Sequence, residues 1–183
     1  SGGREVEAMR HHAYDVLDAA WDAGIRYLDA ARSYGRAEEF LAGWIANRGH
    51  DAAPLIVGSK WGYTYTADWQ TQADQHEVKD HSLATLNRQY AESRAHLGGW
   101  LRLYQIHSAT LASGVLNKPD VLNRLAELKQ TTGLLIGLTL SGPESWSVLV
   151  RATGIERGGN PLFGVLQATW SLLEPSLSAL LFQ

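Results

Sequence analysis

Gly24-Ile25-Arg26-Tyr27-Leu28-Asp29-Ala30-Ala31-Arg32-Ser33-Tyr34-Gly35 puts an acid where a short apolar strand ends and a phenol five residues later, on the loop into the next helix. A buried strand that closes on Asp and then Tyr serves packing poorly. We read the stretch as half of a reaction site, with Lys60 and His107 as the other half.

Upstream of it, Met9, Ala13, Val16, Leu17, Ala20 and Trp21 recur at three- and four-residue steps between Glu5 and Ala23, and Gly24 follows as a stop. That spacing predicts an amphipathic helix. Downstream, Phe40, Leu41, Trp44 and Ile45 form the inner face of a second helix. Pro54 to Lys60 is a continuous apolar run, the pattern of a parallel strand covered on both faces. A long loop from Trp61 to Asp80 carries Trp61, Tyr63, Tyr65 and Trp69. Loops of that length inside a compact domain are uncommon unless functional.

Three further strand and helix signals follow. A helix spans His81 to about His96, a strand Leu101 to Ala109, a helix Asp120 to Thr131 and a strand Gly133 to Leu140. A helix through Trp146, Leu149 and Val150 stops at Gly154, and Phe163 to Ser171 is the last strand. Strand and helix alternating in this way mean parallel strands joined by helical crossovers. An open doubly wound sheet and an eight-stranded barrel both fit. Asp29, Lys60 and His107 lie at the C-terminal ends of three consecutive strands, the face on which barrels build their sites. No G-x-G-x-x-G follows the first strand, as a dinucleotide-binding open sheet would require. The barrel is preferred, with about five of its eight strands in this chain, as one partial domain over residues 1–183.

Composition bounds the partners. The apolar share of 45% and seven Trp can fill a core, while a net charge of -3 without a Lys/Arg cluster gives no footprint for nucleic acid or an anionic membrane. No apolar run approaches the roughly 18 residues of a membrane span. No cysteine is present for a disulfide or thiolate metal site. A soluble, cytoplasmic protein is expected. His76 and His81 invite a zinc reading, but they are five positions apart where a helical pair needs four, and we expect no metal.

The four side chains suggest their own chemistry. A Tyr, with a pKa of about 10, parts with its proton more readily beside an ammonium, which Lys60 would supply while Asp29 holds it in place. His107 would donate to a carbonyl oxygen or relay a proton. Such a set delivers a proton to a developing alkoxide. Reduction of a carbonyl also needs a hydride, which side chains do not supply, so a nicotinamide cofactor is implied.

At this point the residues resemble the aldo-keto reductase family. Asp29-Ala30-Ala31-Arg32-Ser33-Tyr34-Gly35 is similar to its Asp-Thr-Ala-x-x-Tyr-Gly, Ile56-Val57-Gly58-Ser59-Lys60 to its lysine strand, and Leu103-Tyr104-Gln105-Ile106-His107 to its histidine strand. The resemblance implies a (β/α)8 TIM barrel, NADPH, and Asp29, Tyr34, Lys60 and His107 as catalytic residues, with Tyr34 the general acid. It also implies that Gln167 and Thr139 hold the nicotinamide carboxamide. Leu140 falls where the family has Asn, and Ser141 is close enough to replace it. Trp61, directly after Lys60, is our candidate substrate contact, and Arg32 a candidate for an acidic substrate.

The implied activity is NADPH-dependent reduction of an aldehyde, ketone or sugar carbonyl. The alternatives are a non-catalytic nucleotide-binding or regulatory subunit of the same fold, or an inactive truncated fragment. The family's first barrel strand and the two strands after its Gln strand have no counterpart. The chain opens Ser1-Gly2-Gly3 without Met and closes Leu181-Phe182-Gln183. We therefore expect part of a longer barrel, with edges that would make it sticky alone.

Overall fold

Five parallel strands form one sheet: β1 (Tyr27–Asp29), β2 (Ile56–Trp61), β5 (Leu101–Ala109), β6 (Leu135–Leu140) and β9 (Val165–Gln167). The computed structural model describes residues 2–48, 54–67, 72, 74–171, 174–175 and 177–178. Ser1, Trp69 and residues 181–183, which figure in the sequence reading, lie outside them. The strands lie side by side in chain order, β1-β2-β5-β6-β9, with no reversal. A doubly wound sheet reverses direction at a switch point. Here each right-handed crossover steps the same way, so the helices all cover one face and the sheet curls as part of a (β/α)8 barrel.

Helix α1 (Gly2–Asp22) leads into β1, and α2 (Ala37–Arg48), α3 (Leu83–Leu97), α4 (Pro119–Thr132) and α5 (Ser145–Thr153) connect successive strands of the sheet. Local chemistry sets their ends. Ser82 caps α3, its hydroxyl accepting from Thr85 N at 3.2 Å. Pro119 opens α4, and Gly133, left-handed at φ 72°, closes it.

The core lies between helices and sheet. Val57, Trp61, Tyr104, Ile106, Ile136 and Leu138 from the strands meet Trp44, Leu86, Leu125 and Val148 from the helices. Two stripes differ from the sequence reading. On α5, Val148, Leu149 and Ala152 are buried while Trp146 and Val150 are exposed. On α1, Met9 and Val16 are exposed while Leu17 and Trp21 pack on the core, because this helix overhangs β1 at the sheet's edge.

The long loop after Lys60 has structure of its own. Strands β3 (Tyr63–Tyr65) and β4 (Glu77–Lys79) pair as an antiparallel hairpin. A second, two-residue hairpin joins β7 (Glu156–Arg157) to β8 (Asn160–Pro161). Among the described residues no helix is long and apolar enough to cross a membrane, and no three His, Cys, Asp or Glu side chains gather to hold a metal.

Candidate active site

Side chains alternate between the two faces of a strand, so register decides which residues meet. Tyr27 pairs with Ile56, Asp29 with Gly58, Lys60 with Gln105, Gln105 with Gly137, and Thr139 with Gln167. These side chains share the concave face, opposite the helices. Towards the C-terminal ends of the strands that face is polar.

Lys60, 2% exposed, forms an ion pair with Asp29 and donates to Ala30 O at 3.1 Å. Tyr27 donates its hydroxyl to the other oxygen of Asp29 at 3.2 Å. Burial, together with the charge and hydrogen bond of Asp29, pushes the Tyr27 phenol up to about 12, so it stays a donor. Gly58 makes that contact possible, since a Cβ there would stand 2.6 Å from the Tyr27 oxygen.

Tyr34 sits on the turn beyond β1, with the Lys60 ammonium 4.9 Å from its ring centroid and the His107 ring edge-on at 5.7 Å. The structure therefore brings Asp29, Tyr34, Lys60 and His107 together. His107 is half-buried, and burial, then the charges of Lys60 and Lys79 against that of Asp29, push its pKa down to about 4. At neutral pH it is an uncharged imidazole, able to donate one hydrogen bond. Ser33 Oγ lies 3.5 Å from its Nδ1.

The backbone aims His107. Strands β5 and β6 shift register between Ile106 and Ala109, and Ser108 sits at φ 51°, a left-handed conformation rare for a residue with a side chain. Two hydrogen bonds hold this kink: Ser108 N to Thr139 Oγ1 at 2.8 Å, and Lys79 Nζ to Ser108 O at 2.7 Å. His81 adds a third, its Nε2 donating to His107 O at 3.0 Å. Burial depresses the His81 pKa to about 4.

Tyr34, Lys60, Thr139, Leu140 and Gln167 line one pocket of about 180 Å³. A carboxamide needs both a donor and an acceptor. Thr139 accepts from Ser108 N, which leaves its hydroxyl proton to give. Gln167 Oε1 accepts from Gln105 Nε2 at 3.3 Å, and no described residue takes its amino group. The pair suits a nicotinamide amide. Ser141 lies past the end of β6 and does not line this pocket.

Two expectations need correction. Trp61 is not at the site: it is 0% exposed and packs edge-on to His81 at 5.5 Å, in the core beneath α3. Its neighbour Lys60 faces the concave side, so alternation sends Trp61 to the other. Arg32 does not face the pocket either; Glu38 and Glu92 hold its guanidinium. Four residues at the site take other parts or none in the sequence reading: Tyr27 and Gln105 stand in the quoted motifs without a role, Tyr63 is one aromatic of the long loop, and His81 is weighed only for zinc. The first two stand two positions before Asp29 and His107, so a period of two finds them. Tyr63, edge-on to His107 at 4.9 Å, and His81 are brought there only by the β3–β4 hairpin.

Comparison with known proteins agrees with this architecture. The sequence profile of the Aldo/keto reductase family matches residues 1–181. The uncharacterized oxidoreductase YqkF of Bacillus subtilis is 29% identical over 134 residues, 70% of this chain and 40% of its own. A solved structure from Pseudomonas aeruginosa, named for the aldo-keto reductases, superposes with a TM-score of 0.69 at 26% identity over 93% of this chain and 60% of its own. An aldo-keto reductase from Klebsiella pneumoniae in complex with NADPH superposes with a TM-score of 0.54 at 21% identity, over 79% of this chain and 44% of its own. The chain thus spans less than two thirds of the length of each.

Proposed function

Because the chain belongs to the aldo/keto reductase family, we propose that it is the site-bearing part of an NADPH-dependent reductase of aldehydes or ketones. The observation that carries this reading is the convergence of Tyr34 and Lys60 with Thr139 and Gln167 on one pocket. A proton donor there stands beside groups suited to a nicotinamide amide. The bound cofactor would supply the hydride.

The protein's own side chains handle the proton. Tyr34 gives its hydroxyl proton to the carbonyl oxygen as that oxygen becomes an alkoxide. Lys60, fixed by Asp29 and Ala30 O, places positive charge against the Tyr34 ring, where negative charge develops as the proton leaves. His107, neutral at pH 7, donates a hydrogen bond that orients the carbonyl. Thr139 and Gln167 would hold the carboxamide of the nicotinamide. NADPH as the cofactor rests on the family resemblance and on the NADPH complex of the Klebsiella protein.

The test is loss of NADPH absorbance with 4-nitrobenzaldehyde and a panel of aliphatic and sugar aldehydes. Tyr34→Phe is expected to lower kcat by at least about a hundredfold, the usual scale for general acid catalysis. Trp fluorescence should still report NADPH binding. Equal turnover by Tyr34→Phe would remove Tyr34 as the acid. NADPH binding without turnover by the wild-type chain would instead favour a nucleotide-binding subunit.

A further inference from the structure

Behind the sheet, on the face away from the pocket, lies a buried ionic cluster that the proposed chemistry does not use. Glu38 on α2 is 2% exposed. One of its oxygens accepts from Arg32 Nη1 at 2.5 Å. The other accepts from Ser59 Oγ at 2.5 Å and Ser93 Oγ at 2.6 Å. Arg32 also reaches α3, with Nε 3.0 Å and Nη2 2.8 Å from Glu92.

Sequence positions give this cluster its meaning. Arg32 and Glu38 bound a seven-residue segment that runs from the turn after β1 into the first turn of α2, and Tyr34 lies inside it. The Arg32–Glu38 pair closes that segment. Ser59, which holds the same carboxylate, is the residue before Lys60. Arg32 N donates to Lys60 O at 3.0 Å, so the backbone ties the loop to the same strand. One buried carboxylate therefore fixes both the loop carrying Tyr34 and the strand carrying Lys60. Tyr34 is 49% exposed, with the Lys60 ammonium and the His107 ring against it. Desolvation works against the charge on Arg32, but Glu38 and Glu92 outweigh it, so the guanidinium stays charged.

We propose that the clamp of Arg32 between Glu38 and Glu92, anchored to Ser59, is a positioning device that sets Tyr34 against Lys60. It rests on the reading of Tyr34 as the proton donor. Arginine is suited to the task because its planar fork meets two carboxylates at once, which a lysine ammonium does not do in fixed geometry.

The test is steady-state kinetics with NADPH and 4-nitrobenzaldehyde in the full chain, each variant paired with a melting curve. Arg32→Met with Glu38→Gln removes both buried charges together and is expected to lower kcat about a hundredfold, the scale of a misplacement of roughly 1 Å. The KM for NADPH should be unchanged, because the nicotinamide contacts lie on other strands. Arg32→Lys should recover part of the loss. Glu92→Gln, at the clamp's more exposed end, should fold in every case and lower kcat about threefold. Wild-type kcat in Glu92→Gln or in the paired variant overturns the proposal, as does a loss of kcat matched by the fraction unfolded. Should the paired variant not fold, Glu92→Gln and Arg32→Lys decide the matter alone. Tyr34→Phe, run alongside, separates the two ideas. Full activity there overturns the proton-donor reading and the clamp with it. An inactive Tyr34→Phe beside fully active clamp variants overturns only the clamp.

Discussion

Two histidines, His81 and His107, are held neutral by burial, each with its pKa pushed down to about 4. An unfolded chain binds those protons near pH 6.5. Between pH 6.5 and pH 4 the unfolded state therefore holds more protons than the folded one, and stability falls as pH drops through that window. For His81, 4% exposed, the loss approaches roughly 3 kcal/mol. Asp80, held below its usual range chiefly by the hydrogen bond from Thr85, gives way only below that window. We expect urea unfolding midpoints to decline from pH 7 to pH 4.5, and His81→Gln to flatten that decline while keeping a donor for His107 O. An unchanged slope in the variant would show that other groups carry the pH dependence. Asp29, Tyr34, Lys60 and His107 were legible in the sequence because polar residues at the ends of apolar strands are conspicuous. Arg32 read in the sequence as a contact for an acidic substrate and not as structural, since Glu38 and Glu92 come from two different helices.

At the scale of elements, the turn between β2 and β3 decides how His107 is supported. Gly62 sits at φ 110°, and an added Cβ would run into the His81 ring. Gly62→Ala is expected to lose about 1–3 kcal/mol, from backbone strain and displacement of His81. Thermal unfolding measures the loss, and the His107 imidazole resonance should move with it. A melting point within a degree of wild type would contradict this account. The same strand holds the clearest lesson about reading sequence. Trp61 follows Lys60 directly, and adjacency along a strand means opposite faces, so the nearest aromatic residue in sequence was the wrong one for the site. Tyr63 is right because the chain turns back at Gly62. Continuous apolar runs marked the strands; the β3–β4 hairpin, spread over polar and aromatic residues with a weak periodic signal, did not show itself until folded.

For the whole molecule, the apolar half of the concave face is the outstanding feature. Tyr27, Ile56 and Leu135 are 44%, 46% and 49% exposed, and with Leu103 and Val165 they line a cavity of about 820 Å³. Side chains fill the interior of a closed barrel. We expect the 183-residue chain to bind a hydrophobic dye such as ANS on this face, and Ile56→Gln with Leu135→Gln to weaken that fluorescence at least about twofold. An absence of dye binding to the native chain would show the face to be covered. By itself the sequence determined the alternation of parallel strands and helices, because apolar periodicity and strand-end residues are local properties of the chain. It also determined the residue types from which a proton-delivering site can be made. Only the tertiary structure decided which of them meet. The unreversed order of five strands, the left-handed kink at Ser108 and a carboxylate buried behind the sheet depend on contacts between residues far apart in the chain, and no local pattern encodes those.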